Sequence, residues 1–160
     1  MSRNSQPWPK PKRDIIAVDG QKLTLGDTTL TMYKTPGHTS GTISTFIPVK
    51  DGGKPHLAVE VGGNAFNWLR GGAEYRGKPN SFWFETYSNS ARRLKEIVEK
   101  AGADVLLSNH TIYDGSKVKL PALLKRKAGD RHPYVVGTDS LKRYLTVADE
   151  CARAGLLRFQ

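Results

Sequence analysis

Residues 33–42 read YKTPGHTSGT, and the fold is decided by what lies on either side of this turn. Before it, TTLTMYKT (28–35) alternates β-branched and apolar residues, and after it TISTFIPV (42–49) does so again, so both flanks read as strands. His38 therefore sits at a strand end. Pro36 fixes its own φ, and Gly37 and Gly41 reach backbone conformations closed to other residues, so the loop is shaped tightly enough to aim an imidazole. Loops held by rigid strands are where ligands and catalysts usually sit. Alone, such a histidine reads as a turn residue capping a carbonyl, and a partner elsewhere in the chain is needed to make a site.

Working outward, DIIAVDGQKLTLGDTTLTMYKTP holds three strand-like runs separated by the turn dipeptides Asp19-Gly20 and Gly26-Asp27, an antiparallel meander leading into the His38 loop. Downstream, KDGG marks another turn and PHLAVEVGG a further strand. Residues 62–80, rich in Gly and Asn and interleaved with Phe66, Trp68 and Tyr75, read as a long ordered loop covering a cleft. Apolar residues at helical spacing over 86–101, with Arg92, Arg93, Lys95, Glu96 and Glu99 opposite and Gly102 as the stop, predict an amphipathic helix. ADVLLSNH is an apolar run of the buried-strand type ending in His110. A helix is expected from near Ser116, interrupted or entered at Pro121, and a last one over 140–154. The whole is an α/β (α+β) pattern, a mostly antiparallel or mixed sheet with flanking helices.

The chain has 160 residues, 38% hydrophobic and 25% charged, which is a one-domain length with an ordinary globular composition. Residues 1–13 read as a flexible, basic, proline-rich arm, and 14–160 as the folded unit. The net charge of +10 is spread among helices that also carry acids, and no nucleic-acid motif accompanies it, so a solvated basic surface is expected rather than a specific nucleic-acid site. No apolar run approaches a membrane span and the N-terminus lacks a signal-peptide core, so the expectation is cytoplasmic, with no membrane partner. The single cysteine, Cys151, excludes an internal disulfide and a multi-cysteine zinc motif, and its apolar-periodic setting predicts a buried structural thiol.

The pattern strand, turn, histidine occurs twice, at KTPGHTSG and at LLSNHTIYDGS. Enzyme metal sites gather ligands from the ends of several strands, and neutral imidazole is the commonest protein ligand of zinc. These stretches resemble the metallo-β-lactamase superfamily of zinc hydrolases, and within it the histidine-rich lactamase-like subclass. TPGHTSGTIS (35–44) is similar to its third zinc motif, VLLSNHTIYDGS (105–116) to the strand before its last zinc histidine, and GGNAF (62–66) also looks like that subclass. Carried across, the resemblance makes His38 a ligand of a first zinc and His110 a ligand of a second. It covers residue 14 to the C-terminus and implies the C-terminal half of a four-layer αββα sandwich.

The departure from the family is as informative. Its members carry His-x-His-x-Asp-His in their N-terminal half, whereas this chain has only His38, His56, His110 and His132. His56 reads as a polar strand residue and His132 as a loop residue. Asp114 is either an acceptor supporting His110 or an Asp-Gly turn residue, and Ser108 and Asn109 either touch substrate or satisfy backbone groups. Trp68, Trp83 and Phe82 wall a pocket or pack in the core. The resemblance implies metal-assisted hydrolysis of a small-molecule substrate by two zinc ions in a complete site. With at most one ligand per metal retained, negligible hydrolysis and weak zinc binding are expected of this chain, a truncated product, split-gene subunit or excised domain. The face that would meet the other half is expected to drive pairing with a complementary N-terminal half or with a second copy. The alternative is a noncatalytic assembly or binding subunit.

Overall fold

Alternating sequence and glycine turns produce a meander in which each strand pairs with the next. The protein is described here by a computed structural model covering Lys12 and residues 14–159. Strands β1 (Gln21–Leu25), β2 (Thr28–Lys34), β3 (Ile43–Asp51) and β4 (Lys54–Val61) are successively antiparallel. Helix α1 (Asn80–Ala101) then crosses over, and β5 (Val105–Ser108) joins β4 in parallel, giving a five-stranded mixed sheet in the order β1-β2-β3-β4-β5. Helices α2 (Ser116–Leu124) and α3 (Thr138–Leu156) follow.

The register divides the sheet into two unlike faces. Phe46 is paired with Val59, and both are buried with Val61 and Leu106 against Leu94 and Val98 of α1 and Leu141 and Leu145 of α3. Side chains one position away point the other way. That places Leu23, Leu30, Met32, Ile47, Val49, Ala58 and Leu107 on a second, apolar face. Helix α2 and the segment after it border this face, leaving a cavity of about 440 Å³ between Val49, Ala58, Val105 and Leu107 of the sheet, Leu120 and Leu123 of the helix, and His132, Tyr134 and Val135 beyond it. Glu60 lies on the same face, and burial pushes its carboxyl pKa above the usual value.

A second cluster of Trp68, Tyr75, Trp83, Phe84, Tyr87 and Ala152 pins the 62–80 segment, which contains two short 3-10 turns, Asn67–Arg70 and Ala73–Tyr75, onto α1 and α3. Trp68 and Trp83 are thus core residues, while Phe82 stays partly exposed beneath the Lys78 ammonium.

Three sequence expectations need correction. Residues 14–18 form no strand: Ile16 is 69% exposed, and instead Asp19 accepts the Lys34 N–H and is clamped by the Arg93 guanidinium of α1. Helix α1 begins at Asn80 rather than at residue 86, because Trp83 and Phe84 are drawn into the aromatic cluster. Cys151 is exposed, since the buried stripe of α3 runs through Leu141, Leu145, Asp149 and Ala152 and passes beside it. The α2 helix runs through Pro121. Apart from Lys12, the expected N-terminal arm lies outside the described residues, among which no helix is long and apolar enough to cross a membrane.

Leu141 is fully buried, so Leu141→Ala is expected to lower the unfolding free energy by about 2–5 kcal/mol in urea denaturation, whereas Val118→Ala on exposed α2 stays within about 0.5 kcal/mol. For Glu60 the folded state binds the proton more tightly than the unfolded chain. Its contribution is therefore present below the unfolded pKa and is lost as the pH rises through the higher folded value. Glu60→Gln should flatten that slope and leave the protein more stable than the parent at about pH 7; parallel stability profiles for the two proteins would contradict this.

Candidate metal centre

The first wall of the site is the loop between β2 and β3. Its neck is tied by the Thr35 N–H to the Thr42 carbonyl at 2.9 Å and by a buried Thr35–Ser44 hydroxyl pair at 2.8 Å. Helix α1 presses on its tip, where a Cβ at Gly37 would stand 2.7 Å from the Tyr87 Cα. The Tyr75 hydroxyl donates to the His38 carbonyl at 2.6 Å, and the Ser90 hydroxyl to that of Pro36 at 2.6 Å. The backbone that carries His38 is therefore held from both sides.

The imidazole is held as well. Its Nδ1 lies 2.8 Å from the Ala65 carbonyl oxygen and its Nε2 lies 3.0 Å from the Asn67 Nδ2. A carbonyl only accepts and an amide nitrogen only donates, so Nδ1 carries the proton and Nε2 offers its lone pair. This is the tautomer of a zinc-ligating histidine whose other nitrogen is anchored on a carbonyl. Gly63 makes the approach possible, because a Cβ there would stand 2.2 Å from the His38 Cβ.

The second wall follows β5. The buried Asp114 carboxylate accepts the Ser108 N–H at 3.2 Å and the Ser116 N–H at 2.8 Å, closing the turn that enters α2. Burial pushes this carboxyl pKa up, but hydrogen bonds from Ser116 and Ser108 and the charge of Lys119 together outweigh it, leaving a net lowering. Asp114 thus serves the turn. The Ser108 hydroxyl accepts the Asn64 amide at 2.9 Å and the His110 N–H at 3.3 Å, and donates to the Asn109 Oδ1 at 3.4 Å. Asn64 is held in turn by the Tyr144 hydroxyl of α3. His110 is exposed, with its ring edge-on to Tyr113.

His38 and His110 line one cavity of about 290 Å³, together with Asn64, Asn67, Arg70 and Asn109. Sequence reasoning pointed to the two histidines, Ser108 and Asn109, but overlooked the polar contributions of Asn64, Asn67 and Arg70, whose only sign was a Gly- and Asn-rich loop. His56 and His132 lie apart from this cavity: His56 bonds Asp104 at 2.5 Å near the start of β4, and His132 accepts the Tyr134 N–H. Two imidazoles facing one polar cavity suit zinc, which takes three or four protein ligands. Among the described residues, no group of three His, Cys, Asp or Glu side chains could hold a metal. The donors fit part of a zinc site and leave it incomplete.

The sequence matches no family model and no curated protein. Solved structures do match. BJP-1, a subclass B3 metallo-β-lactamase of Bradyrhizobium japonicum, superposes with a TM-score of 0.74 at 28% identity over 94% of this chain and 53% of its own. The native FEZ-1 metallo-β-lactamase from Legionella gormanii gives 0.67 at 29% identity, over 88% of this chain and 50% of its own. A metallo-β-lactamase from Cronobacter sakazakii, at 24% identity and a TM-score of 0.66, supports the fold alone. This chain spans about half the length of the structures it matches.

Gly63→Ala should force His38 off the Ala65 carbonyl, destabilising the fold by about 1–3 kcal/mol and shifting the imidazole nitrogen resonances. Gly41, where an added Cβ meets nothing within 4 Å, is the control, and Gly41→Ala should leave those resonances in place.

Proposed function

We propose that this chain, which belongs to the metallo-β-lactamase superfamily, is the His38- and His110-bearing half of a zinc-dependent hydrolase, silent as a lone 160-residue chain and completed by a second set of ligands. The observation that carries the reading is the pair of strand-end histidines on one cavity, with the His38 ring oriented by the Ala65 carbonyl at Nδ1 and the Asn67 amide at Nε2. Zinc, when bound, supplies Lewis acidity and a water that loses its proton near neutral pH. The protein's own groups have other tasks. Ala65 fixes the tautomer of His38, Ser108 and Asn64 hold the His110 wall at its distance, and Arg70 gives the cavity a cation suited to an anionic group on a small-molecule substrate.

The missing ligands come from whatever covers the apolar sheet face. A complementary chain carrying His-x-His-x-Asp-His would supply them directly. A second copy would bring two more imidazoles, but each copy carries +10, so that association is opposed by charge and strengthens as salt screens it. A noncatalytic assembly subunit uses the same face and leaves the histidines idle.

Zinc titration of metal-free protein on a sizing column with light scattering tests the proposal. The monomer should bind zinc weakly and hydrolyse nothing. Near-stoichiometric zinc should appear only in a dimer or with the complementary half, and His38→Ala or His110→Ala should abolish it. Tight stoichiometric zinc uptake by pure monomer would sink the incomplete-site reading, and no zinc in any assembly would favour the noncatalytic subunit.

A further inference from the structure

We propose that the apolar space between α2 and the sheet is a binding site for a small amphiphile with a carboxylate head, separate from the cavity of His38 and His110. Two openings meet there. The apolar chamber of about 440 Å³ and a polar cleft of about 520 Å³ share Asp51, His56, His132 and Val135 in their walls, and neither shares a residue with the cavity of His38 and His110. Both volumes lie in the range of small-molecule sites, roughly 300–1,000 Å³. The chamber offers Val49, Ala58, Leu107, Leu120 and Leu123 to an apolar chain. It takes up only part of the apolar sheet face: Leu23, Leu30 and Met32 lie outside it, so the remainder of that face stays free for a partner.

The space is held open from both ends of the helix. At the start of α2 the Tyr134 hydroxyl donates to the Ser116 hydroxyl at 2.7 Å, and just past its end the Arg126 guanidinium grips the Asp51 carboxylate of β3 with bonds of 2.7 and 2.6 Å. Of the helix only Ser116 is buried, so these ties prop it beside the sheet instead of letting it settle there. His56 stands where chamber and cleft meet. Its Nδ1 donates to the Asp104 carboxylate at 2.5 Å, its side chain is only 7% exposed, and its Nε2 has no partner among the described residues. A polar atom on so buried a side chain must meet water or a ligand. The charges of the cleft favour an anion. Asp51 is taken by Arg126, Asp104 by His56 and the Leu57 N–H, and Asp130 turns one carboxylate oxygen to the Lys127 N–H. Lys54 and Arg131, by contrast, line the cleft and make no ion pair among the described residues. The Arg131 guanidinium lies over Gly137, where an added Cβ would stand 3.5 Å from it. His132 accepts the Tyr134 N–H at Nδ1, so its Nε2 carries the proton and donates. An ammonium, a guanidinium and an imidazole N–H are the donors a carboxylate takes.

The test uses the full chain, sodium octanoate as the probe, and backbone amide resonances as the readout. Octanoate should bind saturably, one per chain, and shift the amides of Ala58, Leu107 and Val135 while those of Ala65 and His110 stay in place. Acetate, the head without the tail, and octyltrimethylammonium, the tail with the opposite charge, should leave all of them unmoved at the same concentration. Arg131→Gln should weaken octanoate about 1.5- to 5-fold, the worth of one exposed ion pair. Leu120→Glu, at a position already 49% exposed, should weaken it by at least about 10-fold by setting a like charge in the chamber, with the rest of the spectrum unchanged. Binding that does not saturate, equal binding of octyltrimethylammonium, or full affinity in Leu120→Glu overturns the site. A dimer, seen by light scattering, whose formation abolishes octanoate binding assigns the chamber to a second copy and overturns it as well.

Discussion

The site depends on how closely two backbones approach at the edge of the sheet. Gly62 and Gly63 follow β4 directly, and a side chain at either would collide with the neighbouring strand end: a Cβ at Gly62 would stand 1.8 Å from the Ile43 carbonyl oxygen, and one at Gly63 would stand 2.2 Å from the His38 Cβ. With hydrogen atoms in those places, the 62–66 segment passes against the His38 loop and offers it the Ala65 carbonyl. The same segment delivers Asn64 to Ser108 and so reaches the His110 side. One close approach therefore joins the two histidine walls.

What holds that segment down is aromatic. Trp68 and Tyr75 lie under α1 and α3 in contact with Trp83, Phe84 and Tyr87, and Tyr75 reaches back through its hydroxyl to the His38 carbonyl. The helical layer thus does two things with one set of side chains, covering one sheet face and fixing the loop that shapes the cavity. The other sheet face is bordered instead by α2 and by His132, Tyr134 and Val135.

The β-branched alternation around TPGHT and the Asp-Gly and Gly-Asp dipeptides made β1 to β4 legible, because period-two patterning and positive-φ turns are local properties of the chain. His110 was legible for the same reason, as the residue ending a short apolar run. Less local features escaped. The start of α1 is set by where Trp83 and Phe84 find their aromatic partners, and residues 14–18 fail as a strand because Asp19 is drawn to Arg93 across the sheet edge. Cys151 misled through composition: an apolar neighbourhood in sequence is not a buried face when the helical period places the residue just off the stripe. Asn67 gave no signal at all, since its role exists only once the loop has folded back onto His38.

The sheet joins four strands by short turns and the fifth by a long parallel crossover through α1. Neighbouring antiparallel strands close small loops, whereas pairing β5 with β4 must wait on the loss of far more chain entropy. The strands that flank the His38 loop are therefore inexpensive to pair, while the His110 wall arrives with a strand that pairs across a long crossover. The distance between the two histidines is accordingly a report on whether the domain has finished folding, and the cavity comes into being only with its last strand.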